Sequence, residues 1–154
     1  MNNFTFGNNQ YQYYETISGG TGAGASFDGT SAVQSHMTNS RLTDPEVLEW
    51  RFPVRVDSFS IRQNSGGQGQ HRGGNGVIRR IEFLEQMSAA ILSSHRTTEP
   101  FGVNGGQPAL VGKNYVERAS GNVEKLQATD QVEMSPGDIF VIETPGGGGY
   151  GALP

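Results

Sequence analysis

A chain of 154 residues with a formal charge of -4 and no cysteine has room for one hydrophobic core, burying roughly 70% of its unfolded surface. The missing cysteines exclude disulfides, thiolate nucleophiles and thiolate metal sites, and the acidic balance excludes a general nucleic-acid binder, which needs a basic face. No apolar run approaches the ~18 residues of a membrane helix, and Met1-Asn2-Asn3-Phe4-Thr5 lacks the basic flank and apolar stretch of a signal peptide, so a soluble, cytoplasmic protein with no membrane or nucleic-acid partner is expected.

In chain order, Phe4-Thr5-Phe6 and Tyr11 to Ile17 are aromatic and β-prone and frame Gly7-Asn8-Asn9, a hairpin signal. Ser18 to Ser35 offers only Phe27 and Val33 for burial, so it reads as a functional loop or a segment ordered by a partner. Thr43-Asp44-Pro45-Glu46 starts a helix: Thr43 or Asp44 can cap, Pro45 suits the first helical position, and Glu46 completes a capping box with Thr43. Pro53 ends it near Arg51, with Val47, Leu48 and Trp50 as its anchors. Val54 and Val56 then alternate on one parity and Phe59 and Ile61 on the other, which places a bulge at Asp57-Ser58.

Val77 to Leu92 fits a helical spacing through Val77, Ile81, Leu84, Ser88 and Leu92, and a strand spacing through Val77, Arg79, Ile81 and Phe83. A strand pair turning near Glu85-Gln86 is the favoured reading. Tyr115 to Arg118 and Val123 to Leu126 bracket Ser120-Gly121-Asn122, and Val132 to Met134 meets Ile139 to Ile142 across Ser135-Pro136-Gly137-Asp138, two further turn signals. The expected fold is mainly β, a single domain over 1–154 of glycine-rich antiparallel sheets, sandwich- or barrel-like, with one short helix near 44–51.

The 23 glycines are about twice the usual ~7% share. They cluster at Gly19-Gly20, Gly66-Gly67, Gly73-Gly74, Gly105-Gly106 and Gly146 to Gly149. Such clusters offer bare backbone to a ligand or another chain, and their N–H groups can form an anion-attracting concavity. Neither nucleotide motif is complete, however. Gly106 to Asn114 has one residue too many for a phosphate loop and Asn where the hydroxyl belongs, and Gly22-Ala23-Gly24 lacks the third glycine of a dinucleotide fingerprint. Arg72-Gly73-Gly74 is a single unit of an RNA-binding repeat, too little for a disordered tract.

His36, His71 and His95 are too far apart in sequence to form a short metal-ligand pair. The segment His36 to Asp44 gathers an imidazole, the Asn39 amide, the Arg41 guanidinium and the Asp44 carboxylate just after the long loop, a combination suited to acid–base and substrate-binding work. Its structural alternative is a capping and turn role for Asn39, Thr43 and Asp44, with Arg41 paired to Glu46 or Glu49. Arg96, at a strand end, can grip a substrate carboxylate bidentately or pair with Glu99 or a loop carbonyl.

Several long blocks carry a resemblance. Asn2 to Asn8, Tyr14 to Ile17, Gly20-Thr21-Gly22-Ala23-Gly24, Phe27-Asp28-Gly29-Thr30, His36 to Glu46, Ser65 to Gly69, Arg72 to Arg79 and Ile142 to Gly151 resemble the hydantoinase B/5-oxoprolinase family across nearly the whole chain. Family members are much longer and these blocks resemble their C-terminal part, which makes Met1 an internal methionine. The resemblance implies an ATP-dependent opening of a cyclic amide, with 5-oxo-L-proline, ATP and water giving L-glutamate, ADP and phosphate. It implies that ATP and a divalent metal serve the complete enzyme, with neither held by this fragment. Nucleotide binding belongs to a hydantoinase A-like subunit or region, and the metal ligands of related ketone carboxylases lie in the N-terminal remainder of the B-type chain. On this reading the fragment is inactive alone and self-associates through surface meant for its missing half. His36, Arg41 and Asp44 are its catalytic candidates, and Asn39 and Arg96 its substrate-binding ones. The alternatives are a structural and assembly module of a hydantoinase, or a part of an ATP-dependent ketone carboxylase.

Overall fold

The computed structural model describes residues 1–35 and 38–153. Within them are strands β1 (Asn2–Gly7), β2 (Gln12–Thr16), β3 (Val54–Ile61), β4 (Val77–Phe83), β5 (Met87–Ser93), β6 (Lys113–Glu117), β7 (Val123–Leu126), β8 (Thr129–Met134) and β9 (Ile139–Glu143), and helix α1 (Pro45–Arg51). They form two open antiparallel sheets, β2-β1-β5-β8 and β3-β4-β9-β6-β7. Alternating apolar residues turn one face of each sheet inward. Phe4, Phe6, Ile91 and Met134 of the first meet Ile81, Phe83, Phe140 and Ile142 of the second in one core, with Phe4 and Phe140 ring centroids 4.6 Å apart. The sandwich form of the expected fold is the one adopted.

The β1–β2 hairpin turns on Asn8, whose Oδ1 accepts the N–H groups of Gln10 and Tyr11, a side chain standing in for a backbone turn. The register of β3 on β4 slips between Val56 and Ser58, where the change of parity placed it. Two turns have a different role from the expected one. The segments 77–83 and 87–93 are both strands, but β4 and β5 lie in different sheets, as do β8 and β9, so these turns are corners across the core rather than hairpins. Inward alternation is the same whichever sheet a strand joins, so the sequence pattern is blind to this choice. The corners hold each other: Phe83 N–H donates to Asp138 O (2.9 Å) and Gly137 N–H to Phe83 O (2.8 Å).

Asp44, not Thr43, caps α1, its carboxylate accepting the N–H of Glu46. Of the three expected anchors only Leu48 is buried, with Val47 42% and Trp50 85% exposed, because a helix of two turns shows one narrow stripe to the sheet beneath it.

The glycine clusters have a use other than the expected one. Residues 145–150 run through the centre of a bundle of extended segments and bond outward in several directions. Gly147 N–H donates to Gly74 O and its carbonyl accepts from Gly67; Gly148 O accepts from Ala23, Gly149 O from Val103, and Gly149 N–H donates to Gln107 O. A β-strand has two hydrogen-bonded neighbours, whereas this segment has one on nearly every side. Most of the backbone N–H groups that were expected to face a ligand are spent on oxygens of the same chain. A Cβ on Gly73 would fall on the Gly147 carbonyl and one on Gly147 on the Thr21 carbonyl, both well inside 3.0 Å, while Gly22 has only Gly148 O at 3.8 Å. Gly147→Ala is therefore expected to cost about 3 kcal/mol, the upper end of overpacking penalties, and Gly22→Ala less than about 1 kcal/mol, read as shifts in urea midpoint.

Candidate functional site

The long loop reaches the helix along the open edge of β2. Gln34 Nε2 donates to Thr16 O (2.7 Å), Val33 N–H to Gly19 O, and the far end is held by Leu42 against the core and by the Asp44 cap. Between these anchors Asn39 and Arg41 are exposed. Arg41 makes no ion pair among the described residues, so the expected bridges to Glu46 and Glu49 do not form. His36 lies outside the described residues.

Residues on both sides of position 36 enter a groove of about 690 Å³ whose wall is the glycine segment 145–148. Thr16, Gln34, Thr38 and His95 supply its polar groups and Phe101 and Val103 its apolar side. His95 is held at φ 54°, a left-handed conformation costly for a residue with a Cβ. Its Nδ1 lies 2.9 Å from Thr98 O; a carbonyl only accepts, so Nδ1 carries a proton and Nε2 is the ring nitrogen left free of this contact.

Arg96 does not reach a carboxylate. Its Nε and Nη2 donate to Asn114 Oδ1 (3.1 and 2.9 Å) and its Nη1 to Ser94 O (2.7 Å), so the loop-carbonyl alternative holds and Glu99 is not its partner. Burial, with the nearby Arg62 guanidinium, pushes its pKa down to about 10. Arg62 itself pairs with Glu143 at 3.0 Å. The described candidates are thus not brought into one constellation: Asp44 caps a helix, Arg96 braces β6, and Asn39 and Arg41 are exposed.

Sequence reasoning missed the strongest polar interaction in the fold. Arg79 of β4 points into the core and bonds Glu15 of β2 bidentately, Nε to Oε1 and Nη2 to Oε2, each 3.0 Å, with side chains 1% and 3% exposed. Tyr13 donates to Glu15 Oε2 (2.9 Å) and lies 3.0 Å from Thr43 Oγ1, and burial raises its pKa. The pair ties the two sheets together and, through Tyr13, fixes the end of the segment that carries the candidates. The available signal was Arg79 standing on the parity of Val77, Ile81 and Phe83.

Most N–H groups of the glycine clusters are paired within the chain, and among the described residues no group of three His, Asp or Glu side chains is placed to hold a metal ion. No described helix is long and apolar enough to cross a membrane.

The family model for hydantoinase B/oxoprolinase matches residues 1–153. The chain is 49% identical over 152 residues to 5-oxoprolinase 1 of Arabidopsis thaliana, covering 99% of this chain and 12% of that protein, so it spans about an eighth of that relative. In fold it matches the ATP-dependent caprolactamase of Pseudomonas jessenii with TM-score 0.77 at 24% identity, over 97% of this chain and 28% of that one. It matches acetone carboxylase in its nucleotide-free structure with TM-score 0.79 at 21% identity, over 98% and 25%.

Three substitutions separate the roles described. Arg79→Ala leaves Glu15 buried and unpaired and is expected to cost about 3–5 kcal/mol, and Asp44→Ala about 1 kcal/mol through the lost cap. Arg41→Ala should stay within about 0.5 kcal/mol. Chemical denaturation of each variant checks the order.

Proposed function

Because the chain belongs to the hydantoinase B/oxoprolinase family, we propose that it forms the C-terminal part of an ATP-dependent cyclic-amide hydrolase, a cytoplasmic 5-oxoprolinase that converts 5-oxo-L-proline, ATP and water to L-glutamate, ADP and phosphate. The observation that carries this reading is the 49% identity to a 5-oxoprolinase over 99% of the chain. A lactam carbonyl is a poor electrophile. ATP supplies the activation, since phosphorylating the amide oxygen makes the carbon electrophilic and creates a leaving group.

Nucleotide and divalent metal are handled by the hydantoinase A-like region and the N-terminal remainder of the B-type chain, and the present residues are inactive alone. Their part is to present one wall of the shared site. Asn39 and Arg41 lie between anchors at Gln34 and Leu42, where an amide and a guanidinium can hold the substrate carboxylate, and the imidazole of His36, in the same stretch of sequence, is the group suited to moving a proton. Asp44 and Arg96 act by position, the first holding the helix that ends the segment, the second bracing the strand ends beside the groove.

A second reading, a structural and assembly module, is favoured by the structural partners of Asp44 and Arg96. The two are separated in the complete enzyme by coupled release of ADP and glutamate from 5-oxo-L-proline. His36→Ala and Arg41→Ala are expected to lower kcat/KM about 100-fold with an unchanged melting temperature. Unchanged kinetics of the assembled fraction with poorer assembly would select the module instead. No turnover of 5-oxo-L-proline by the wild-type assembly would move the substrate to another cyclic amide or a ketone.

A further inference from the structure

The outer faces of the two sheets differ in kind. That of the β3-to-β7 sheet is laced with ion pairs, Arg55 with Glu82 and Arg80 with both Asp57 and Glu117, as suits a face in water. That of the β2-β1-β5-β8 sheet has twelve outward positions, three on each strand, and Glu133 is the single charge among them. In place of charges it has a shape. The middle cross-strand row reads Tyr14, Thr5, Ala90, Gln131, and the row beside it has Gly7 and Ser88 on the two central strands. Small residues on β1 and β5 thus form the floor of a trough, and Tyr14 and Gln131 on the edge strands form its walls. Two adjoining hollows of about 590 and 490 Å³ lie along it and share Thr5, Tyr14, Ala90 and Gln131. Leu92, 53% exposed, and Tyr14, 61% exposed, leave apolar surface open at one end and along one side.

We infer that this trough is the seat of an α-helix from the polypeptide that lies outside these residues in the complete protein, packed lengthwise on β1 and β5. The inference rests on the reading of the chain as part of a longer one. A floor two strands wide, about 5 Å between strands, with raised edges accepts a cylinder about 10 Å across, and helices covering one face of an antiparallel sheet are a standard layer arrangement. A partner recognised by charge would need charge to meet it, and Glu133 at the margin with Asp130 at the rim of one hollow are too few to supply that. The amides and hydroxyls of Thr5, Ser88 and Gln131 suit a helix face of small and hydroxyl side chains, and Gln131 Nε2 is already turned to Ser88 Oγ (2.8 Å). Material for such a helix is ample: the stretch equivalent to this chain is 12% of the Arabidopsis relative.

The test uses the complete protein with Tyr14 replaced by a benzophenone amino acid. Irradiation is expected to give a dilution-independent cross-link to a helical peptide of the same polypeptide outside the residues described, and Ala90→Arg, which fills the floor, should remove most of that cross-link and lower the melting temperature by several degrees. A cross-link to a second copy or to a separate subunit, a cross-link undiminished by Ala90→Arg, or none at all would overturn the proposal. Should Ala90→Arg precipitate, the cross-link in the otherwise wild-type background still decides. Wild-type turnover is scored separately: a complete protein that cross-links as expected but ignores 5-oxo-L-proline sinks the substrate and keeps the surface.

Discussion

The absence of a β-carbon at Gly146 to Gly149 is the constraint on which the remainder of the structure rests. Backbones can approach to hydrogen-bonding distance from many sides only if none carries a side chain there, and the central segment exploits this by bonding in turn to the stretches near Gly20, Gly74, Gly67, Gln107 and Val103. Each of these stretches is a long connection between strands. A loop-rich chain ordinarily leaves such connections mobile; here they are fastened to a common axis, and the entropic cost of ordering so many glycines is offset by backbone hydrogen bonds that leave few buried groups unpaired. The groove beside positions 35 and 38 takes its shape from that axis, because residues 145–148 are its wall.

Polar groups are allotted with equal economy. Among the described residues one ion pair, Glu15 with Arg79, sits inside the sandwich, Arg62 to Glu143 is largely enclosed beside the glycine segment, and the others are more exposed. A buried pair adds little net stability over a well-packed apolar pair but penalises any arrangement that separates its partners. Joining β2 of one sheet to β4 of the other, it sets their mutual register and holds Tyr13 against Thr43. The ends of the candidate segment, at Gln34 and Thr43, are therefore tied near the glycine axis and the buried ion pair.

Much of this was legible in the sequence. Alternation located the strands, the change of parity at Asp57-Ser58 located the bulge, and Pro45 and Pro53 bounded the helix. What alternation cannot encode is which sheet a strand enters, so the turns at 84–86 and 135–138 looked like hairpins when they are corners. The glycine runs announced a need for bare backbone without naming who would approach it, since that is settled by segments distant in sequence. At the site, residue types suggested chemistry while the fold shows employment: an aspartate two residues before a helical N–H is a cap, and an arginine donating twice to an asparagine oxygen is a brace. His95 drew no special notice because nothing local reveals a positive φ.

The ion pair between Glu15 and Arg79 also bears on how such a chain changes over generations. Folded proteins hold a margin of only about 5–15 kcal/mol, and either partner changed alone spends a large part of it. The two positions, 64 residues apart, should therefore drift as a single character, both kept or both exchanged for an apolar couple. Lineages that dropped one member first would be thinned before the second change could arrive.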